Sequence, residues 1–386
     1  MSWPSVPLGE LYAKRSPSVD PRRFPGEEFE LFSVPAHDRG AADIETAESI
    51  GSSKITVEPG DVLLCRIVPH IRRSWIVTPE RGHRQIASGE WMVFRDPRFE
   101  PAFLRHYLTS DVFHRRFMTT VAGVGGSLMR ARPAHAAAIG VPLPPLPEQR
   151  RIASILDQAN NLITLAQRAA SARDALERAL MEEVLSRADQ DGSFERLGDL
   201  AETLTGPFGS ALHREDYEPG GIPIVNPMHI VKGQIKTSDD FAVGPEKALE
   251  LTAYRLKVND VVLGRRGELG RAAAVRDEHL PALCGTGSMI VRPRESALSA
   301  AFLSGVLASP AIKRRLASQA QGATMLNLNQ RIVRELVIPV PPRKALEVFS
   351  SRLDELRRLE GTLGNRTRAQ KRLLTTLQAR AFRGEL

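Results

Sequence analysis

The chain is 386 residues long, 42% hydrophobic and 25% charged, which predicts two or three domains and excludes a largely disordered or collagen-like chain. No run of 18 apolar residues occurs, MSWPSVPLGELYAKR lacks a basic-then-apolar signal pattern, and Cys65 and Cys284 are too few for a disulfide framework or zinc cluster, so a cytoplasmic protein with free thiols is expected. The net charge is +8, and only nine of the 53 basic residues are Lys, a bias that fits a GC-rich gene as well as arginine forks aimed at phosphate and guanine edges.

In chain order, residues 1–141 predict a mixed α+β unit, with strand-like runs DVLLCRIV and MVFR among loops and short helices. IGVPLPPLPEQRRIASILD (139–157) follows. Pro142 to Pro147 cannot all be helical, because each ring fixes φ and lacks an amide donor. Pro147 suits a first helical position and Glu148 a first turn, so an extended lead-in and an abrupt helix start are expected. A polyproline ligand is the competing reading, weakened because the run recurs. The stretch 147–188 has no internal Pro or Gly and predicts one long helix. A second mixed unit (191–341) carries DVVLGR and SMIVR. LVIPVPPRKALEVFSSRLD (336–354) then leads into a second helix, where Gly361 and Gly364 predict a bend or break.

These parts repeat. Pro142, Pro144 and Pro145 match Pro339, Pro341 and Pro342 at an offset of 197, and Asp157 matches Asp354. GDVLLCR (60–66) pairs with NDVVLGR (259–265), MVFR (92–95) with MIVR (289–292), FLRHYLTS (103–110) with FLSGVLAS (302–309), GGSLM (125–129) with GATML (322–326) and LGEL (8–11) with LGDL (197–200). The shared order predicts two units of one plan.

Each helix carries a 3-4 seam. In the first it runs Ile152, Leu156, Ala159, Ile163, Ala166, Ala170, Arg173, Glu177, Leu180, Val184 and Arg187. In the second it runs Leu346, Phe349, Leu353, Leu356, Glu360, Leu363, Thr367, Gln370, Leu374, Leu377 and Ala381. Eight of eleven positions are apolar in both. Matching seams predict that the helices bury each other. An antiparallel pair, with the globular parts at opposite ends, is favoured over a parallel pair because it makes the duplicate pseudo-two-fold. Docking of each helix on its own unit is the simpler alternative.

Charge is local. The C-terminal segment 342–386 has 11 basic and 5 acidic residues, whereas 1–141 (18 and 16) and 191–341 (18 and 17) are near balance. No Asp or Glu occurs from Val112 to Pro147 or from Ser296 to Arg334, windows that hold Arg115, Arg116, Arg130 and Arg132, and Lys313, Arg314, Arg315, Arg331 and Arg334. Arg66, Arg72, Arg73, Arg81 and Arg84 form a second cluster, matched by Arg265, Arg266, Arg271 and Arg276. Repeated basic, acid-free stretches suit a polyanion, and the glycines of GRRGELGR (264–271) allow close backbone approach to phosphate. A solvated basic face is the bland alternative.

No phosphate-binding GxxxxGK[ST] loop, HExxH, GxSxG, methyltransferase tetrapeptide or nuclease-like acidic cluster is found. His70, His83, His213 and His229 are read as surface or loop residues, with no metal site. The sequence reads as a binder without chemistry of its own.

IGVPLPPLPEQRRIASILD closely resembles the central conserved region of the specificity subunit of Type I restriction-modification enzymes, and LLTTLQARAFRGEL (373–386) resembles that family's C-terminal conserved helix. TGPFGSALHREDYEPGGIPIVNPMHIVKGQI (205–235), VEPGDVLLCRIVPHIRRSWIV (57–77) and VNDVVLGRRGELGRAAAV (258–275) are similar to its target recognition domains. The chain departs from the family in VPPRKAL, where a second PLPEQ-like string is usual, and in a first unit that lacks the GIP-type opening.

The resemblance implies an α+β fold of two pseudo-symmetric target recognition domains joined by an antiparallel coiled coil: domain 1 at 1–141, a central spacer helix at 142–190, domain 2 at 191–338 and a C-terminal spacer helix at 339–386. It implies a non-catalytic, DNA-binding subunit reading a bipartite, gapped double-stranded target in phage defence. The helices would set the gap and dock two methyltransferase (M) subunits, and restriction (R) subunits would join. S-adenosylmethionine, ATP and Mg would sit on the partners, with no cofactor or metal on this chain and no membrane contact. Arg66, Arg72, Arg73, Arg130 and Arg132 are the candidates for one half-site, and Arg265, Arg266, Arg271, Thr324, Asn327, Asn329 and Arg331 for the other. Asn327 and Asn329 suit adenine readout and turn-shaping equally. Arg357, Arg358, Arg366, Arg368, Lys371 and Arg372 would face the DNA spacer, an acidic partner surface, or solvent. A two-headed protein scaffold with no DNA readout is the alternative function.

Overall fold

The structure is a computed structural model that describes residues 3–13, 17–123, 129–208, 211–294, 298–319 and 327–386. It divides into two compact units: Met1–Ala169 with Leu363–Leu386, and Ala170–Thr362. Each therefore contains one globular part and one half of each long helix.

In the first unit, Val62–Cys65 is the central strand of a three-stranded antiparallel sheet, between Ser74–Ile76 and Trp91–Phe94. A five-stranded mixed sheet has the hydrogen-bonded order Ser18–Val19, Lys54–Thr56, Arg84–Ala87, Glu28–Phe32, Asp43–Thr46. In the second unit, Val261–Gly264 lies between Ala272–Ala274 and Ser288–Pro293, with Ala201–Thr205 added at the edge. The repeated strings thus fold into the same central strand and the same neighbour, with an unrelated stretch supplying the third strand in each unit. In each unit a short helical turn made by LGEL or LGDL follows an edge strand, and that strand pairs with the lead-in to the proline run: Ser5–Pro7 with Gly140–Pro142, and Ser193–Arg196 with Val337–Val340.

One detail explains why two short strings repeat together. Gly60 (φ 89°) and Asn259 (φ 69°) occupy the left-handed turn before the central strand, a conformation that glycine and asparagine tolerate best. That turn aims the next side chain, a buried Asp, inward. Asp61 accepts from the Glu58 N–H (2.9 Å) and from Arg95 (2.6 Å); Asp260 accepts from the Lys257 N–H (2.7 Å) and from Arg292 (2.7 and 2.8 Å). The Asp of GDV or NDV therefore meets the Arg of MVFR or MIVR, and each bridge ties a strand to its neighbour.

The first long helix spans Leu146–Asp191 and the second Arg343–Ala381. The first starts one residue before the predicted Pro147. The second is continuous, so no break occurs at Gly361 and Gly364: packing along the seam outweighs the weak propensity of two glycines. In the first unit, Ile152 and Leu156 share a core with Leu374, Leu377, Ala381, Phe103 and Tyr107. In the second, Val184 and Leu180 share a core with Phe349, Leu353, Phe302 and Leu263. The start of one helix meets the end of the other, so the pair is antiparallel. Both helices also dock on their units.

The seams hold with one correction. Arg187 is exposed and Ala188 is buried in its place, because a helix of 3.6 residues per turn drifts from a strict 3.5 repeat. Two of the polar exceptions meet: Arg173, 9% exposed, pairs with Glu360 at 3.0 Å.

Candidate nucleic-acid interface

The two acid-free windows return to equivalent places. In the first unit the Arg66 N–H donates to the Glu90 carbonyl (3.0 Å) and the Arg66 carbonyl accepts from Ala131 (2.8 Å). In the second the Arg265 N–H donates to the Gly287 carbonyl (3.0 Å) and the Arg265 carbonyl accepts from Leu328 (2.9 Å). Isolated bridges join Ile67 to Arg130 and Arg266 to Asn327. Glu90 and Gly287, Arg130 and Asn327, and Arg132 and Asn329 are thus counterparts, all separated by the 197 residues that separate the proline runs.

On this shared backbone frame the side chains differ. In the first unit Glu90 lies between Arg66 (3.2 Å) and Arg130 (3.0 Å). Burial raises the Glu90 pKa, but the two guanidinium groups outweigh it and leave the carboxyl below its usual range. In the second unit no carboxylate among the described residues fills the slot. Arg265 is 2% exposed; its Nε donates to the Thr286 carbonyl (3.1 Å), its Nη1 to Asn327 Oδ1 (3.2 Å), and its Nη2 is buried with no acceptor among the described residues. Its guanidinium lies 4.3 Å from the ring centre of exposed Phe208. Burial first, and then the charge of Arg266, push its pKa down.

The loop after each central strand carries the other arginines. Arg73 grips Asp38 through two bonds (2.7 and 2.6 Å), which holds the Asp38 pKa at about 2. Arg72 pairs with Asp111 at 2.6 Å. Arg81 reaches buried Glu30 (2.8 Å), and Arg84 lies over Phe24. In the second loop Arg271 binds Glu268 (2.9 Å) and the Pro227 carbonyl (3.3 Å). Gly267 and Gly270 both have left-handed φ, and a Cβ on Gly270 would fall 2.5 Å from the Lys313 side chain. The turn itself requires the glycine there.

The structure therefore sorts the candidate residues. Arg66, Arg72, Arg73, Arg130, Arg271 and Arg331 are all ion-paired, the last with Glu335 at 2.8 Å. Arg265 is internal, and Asn327 accepts its hydrogen bond. Asn329 caps the helix Gln330–Arg334 by accepting from the Ile332 N–H (2.9 Å), so its turn-shaping role is realised. Exposed Arg132 and half-buried Arg266 have no carboxylate partner among the described residues. Thr324 lies outside the described residues. On the second long helix Arg357 is turned inward toward Arg276 and its pKa falls, mainly through burial; Arg358, Arg366, Arg368, Lys371 and Arg372 are exposed.

Sequence reasoning missed the acids that reach these cations from elsewhere in the chain, Glu90 above all. Its signal was available, since Glu90 precedes WMVFR where Gly287 precedes SMIVR. His229 also departs from its reading as a surface or loop residue. It is 4% exposed, accepts from the Asn226 N–H through Nδ1 (3.1 Å) and stacks edge-on with Phe241. Among the described residues no cluster suits a metal ion, and no helix is long and apolar enough to cross a membrane.

Residues 191–369 match the family model described as "Type I restriction modification DNA specificity domain". No curated protein sequence matches the chain. Two solved structures are similar over nearly the full length. One comes from work titled "Structural basis underlying complex assembly and conformational transition of the type I R-M system": 20% identity, 100% of this chain and 98% of that chain covered, TM-score 0.62. The other is the Type-I restriction-modification system S subunit from M. genitalium: 15% identity, 97% and 96% covered, TM-score 0.59. At these identities the likeness is one of fold.

Proposed function

From the match of residues 191–369 to the Type I restriction modification DNA specificity domain we propose that the chain is the sequence-reading subunit of a Type I restriction-modification complex. Its domains are 1–141 and 191–338, each reading one half of a gapped double-stranded DNA target, with 142–190 and 339–386 as the spacer helices. The observation that carries this reading is the duplicated backbone frame with unlike side chains, Arg66·Glu90·Arg130 in one unit and Arg265·Asn327 in the other. One scaffold with two different polar surfaces suits two unlike half-sites, and hence a non-palindromic target.

Arg132 and Arg266 are the phosphate contacts of this proposal. Arg66, Arg130, Arg271, Asn327 and Arg331 lie at the rim where base edges are read, with Arg72 and Arg73 holding the first loop. The long helices dock two methyltransferase subunits, and restriction subunits complete the complex. S-adenosylmethionine, ATP and Mg belong to those partners. The chain itself binds and assembles in the cytoplasm, without catalysing.

The test is genome-wide adenine methylation in the native host with and without this gene. Loss of one gapped, two-part motif is expected; an unchanged pattern in a host whose system is expressed overturns the reading.

A further inference from the structure

We propose that Arg173, Glu360 and Gln234 form a register lock that fixes the second unit's globular part on the paired helices and so restricts the gap length the complex accepts. This rests on the reading of the preceding subsection and adds positioning residues to it.

Among the seam positions of the second helix, Glu360 is the single carboxylate. Arg173 is the buried cation of the first helix's seam, and its Nη1 meets Glu360 Oε2 at 3.0 Å. Asp174 and Glu177, which also contact Arg173, lie on its own helix, so they balance its charge without reporting register. A slip by one seam step would set Arg173 against Leu356 or Leu363 and leave a buried guanidinium without its cross-helix acceptor. The remaining, mostly aliphatic seam discriminates poorly between neighbouring registers, whereas one polar pair at a seam specifies register at some cost in stability.

The same carboxylate holds the globular part. Glu360 Oε1 accepts a short hydrogen bond from Gln234 Nε2. Gln234 sits in the hairpin Ile230–Val231/Gln234–Ile235, whose Ile230 and Ile235 are buried in one core with Val262 and Ile290. Val262 is on the strand Val261–Gly264, which leads directly into Arg265. The sheet presenting the Arg265 loop is therefore tied to the acid that meets Arg173 across the seam; the cross-helix pair Arg352–Glu183 is solvent-exposed and weaker for that reason.

The test uses the native host lacking this gene, complemented with wild type, Arg173→Met/Glu360→Leu or Gln234→Ala, and reads adenine methylation at the native gap and at gaps one base pair longer or shorter. A wild-type gene that restores no two-part motif would sink the DNA-reading conclusion itself, before any variant is compared. The double variant should still assemble, because apolar replacement of a buried ion pair is commonly neutral or stabilising. Its half-site sequences should be unchanged while the ratio of native-gap to altered-gap methylation falls about tenfold or more, the factor for losing a charged hydrogen bond. Gln234→Ala leaves both seam residues in place and decides the matter if the double variant does not assemble; its ratio should fall in the same direction. Wild-type gap discrimination, or equal loss at every gap, overturns the proposal.

Discussion

Arg292 grips the buried carboxylate of Asp260 with two hydrogen bonds of 2.7 and 2.8 Å, joining the end of one strand to the turn that opens its neighbour. The pair Arg95 and Asp61 does the same in the first unit at 2.6 Å, with one difference: Arg95 also reaches Glu58, at 2.5 Å. Asp260→Ala leaves Arg292 without an ion-paired carboxylate, with only the more distant Glu202 opposite it across the strand pair, whereas Asp61→Ala leaves Arg95 paired with Glu58. Asp260→Ala should therefore cost about 2–3 kcal/mol, and Asp61→Ala less. Denaturant unfolding of the two variants checks the order; equal losses would refute it.

The Asp38–Arg73 bridge gives a pH signature. The Asp38 pKa is lowered to about 2, first by its bond to Arg73. A depressed carboxylate contributes stability that is fully present above the unfolded value of about 4 and is lost as pH falls toward 2. The side chain is half exposed, so water screens the effect. Arg73→Ala should return the Asp38 titration, followed by carbon NMR, to about 4.

His106 gives a pH dependence of the same sign in a higher window. It is 4% exposed, with Nε2 2.8 Å from Asp157 Oδ1 and 3.2 Å from Arg105. Burial, then Arg105, lower its pKa despite Asp157. Below about pH 6.5 the unfolded chain takes up a proton that the folded chain refuses. Stability should fall as pH drops from 6.5 and level off below the folded pKa. His106→Gln should flatten part of that slope in unfolding measured between pH 7.5 and 5.5.

Asn329→Ala should cost about 0.5–2 kcal/mol through loss of the helix cap, whereas Asn329→Asp should keep the cap. Thermal unfolding separates them. If Asn329 also reads a base, the Asp variant changes the second half-site while leaving stability intact.

Arg132→Ala and Arg266→Ala should each weaken the assembled complex on all DNA sequences and reduce the salt dependence of binding by about one unit of slope. Arg331→Ala, whose guanidinium is shared with Glu335, should reduce it less. Equal slopes for all three would mean that ion pairing within the chain does not screen these cations.

Much of the plan is read along the chain. The proline lead-ins, the doubled strand strings and the seams each depend on spacing, and spacing survives without coordinates. The site is less legible, because Asp38, Asp111 and Glu90 neutralise arginines that lie far from them in sequence. An acid-free window therefore overstates the free charge of the surface it forms.

The sequence by itself determined the duplicate, the two long helices and the positions where polar residues interrupt their seams, since periodicity follows from backbone geometry alone. Only the tertiary structure decided that Arg173 faces Glu360, that Asp260 faces Arg292 and that Arg265 is interior, because a partner is chosen by distance in space and by the cost of burying a charge without one.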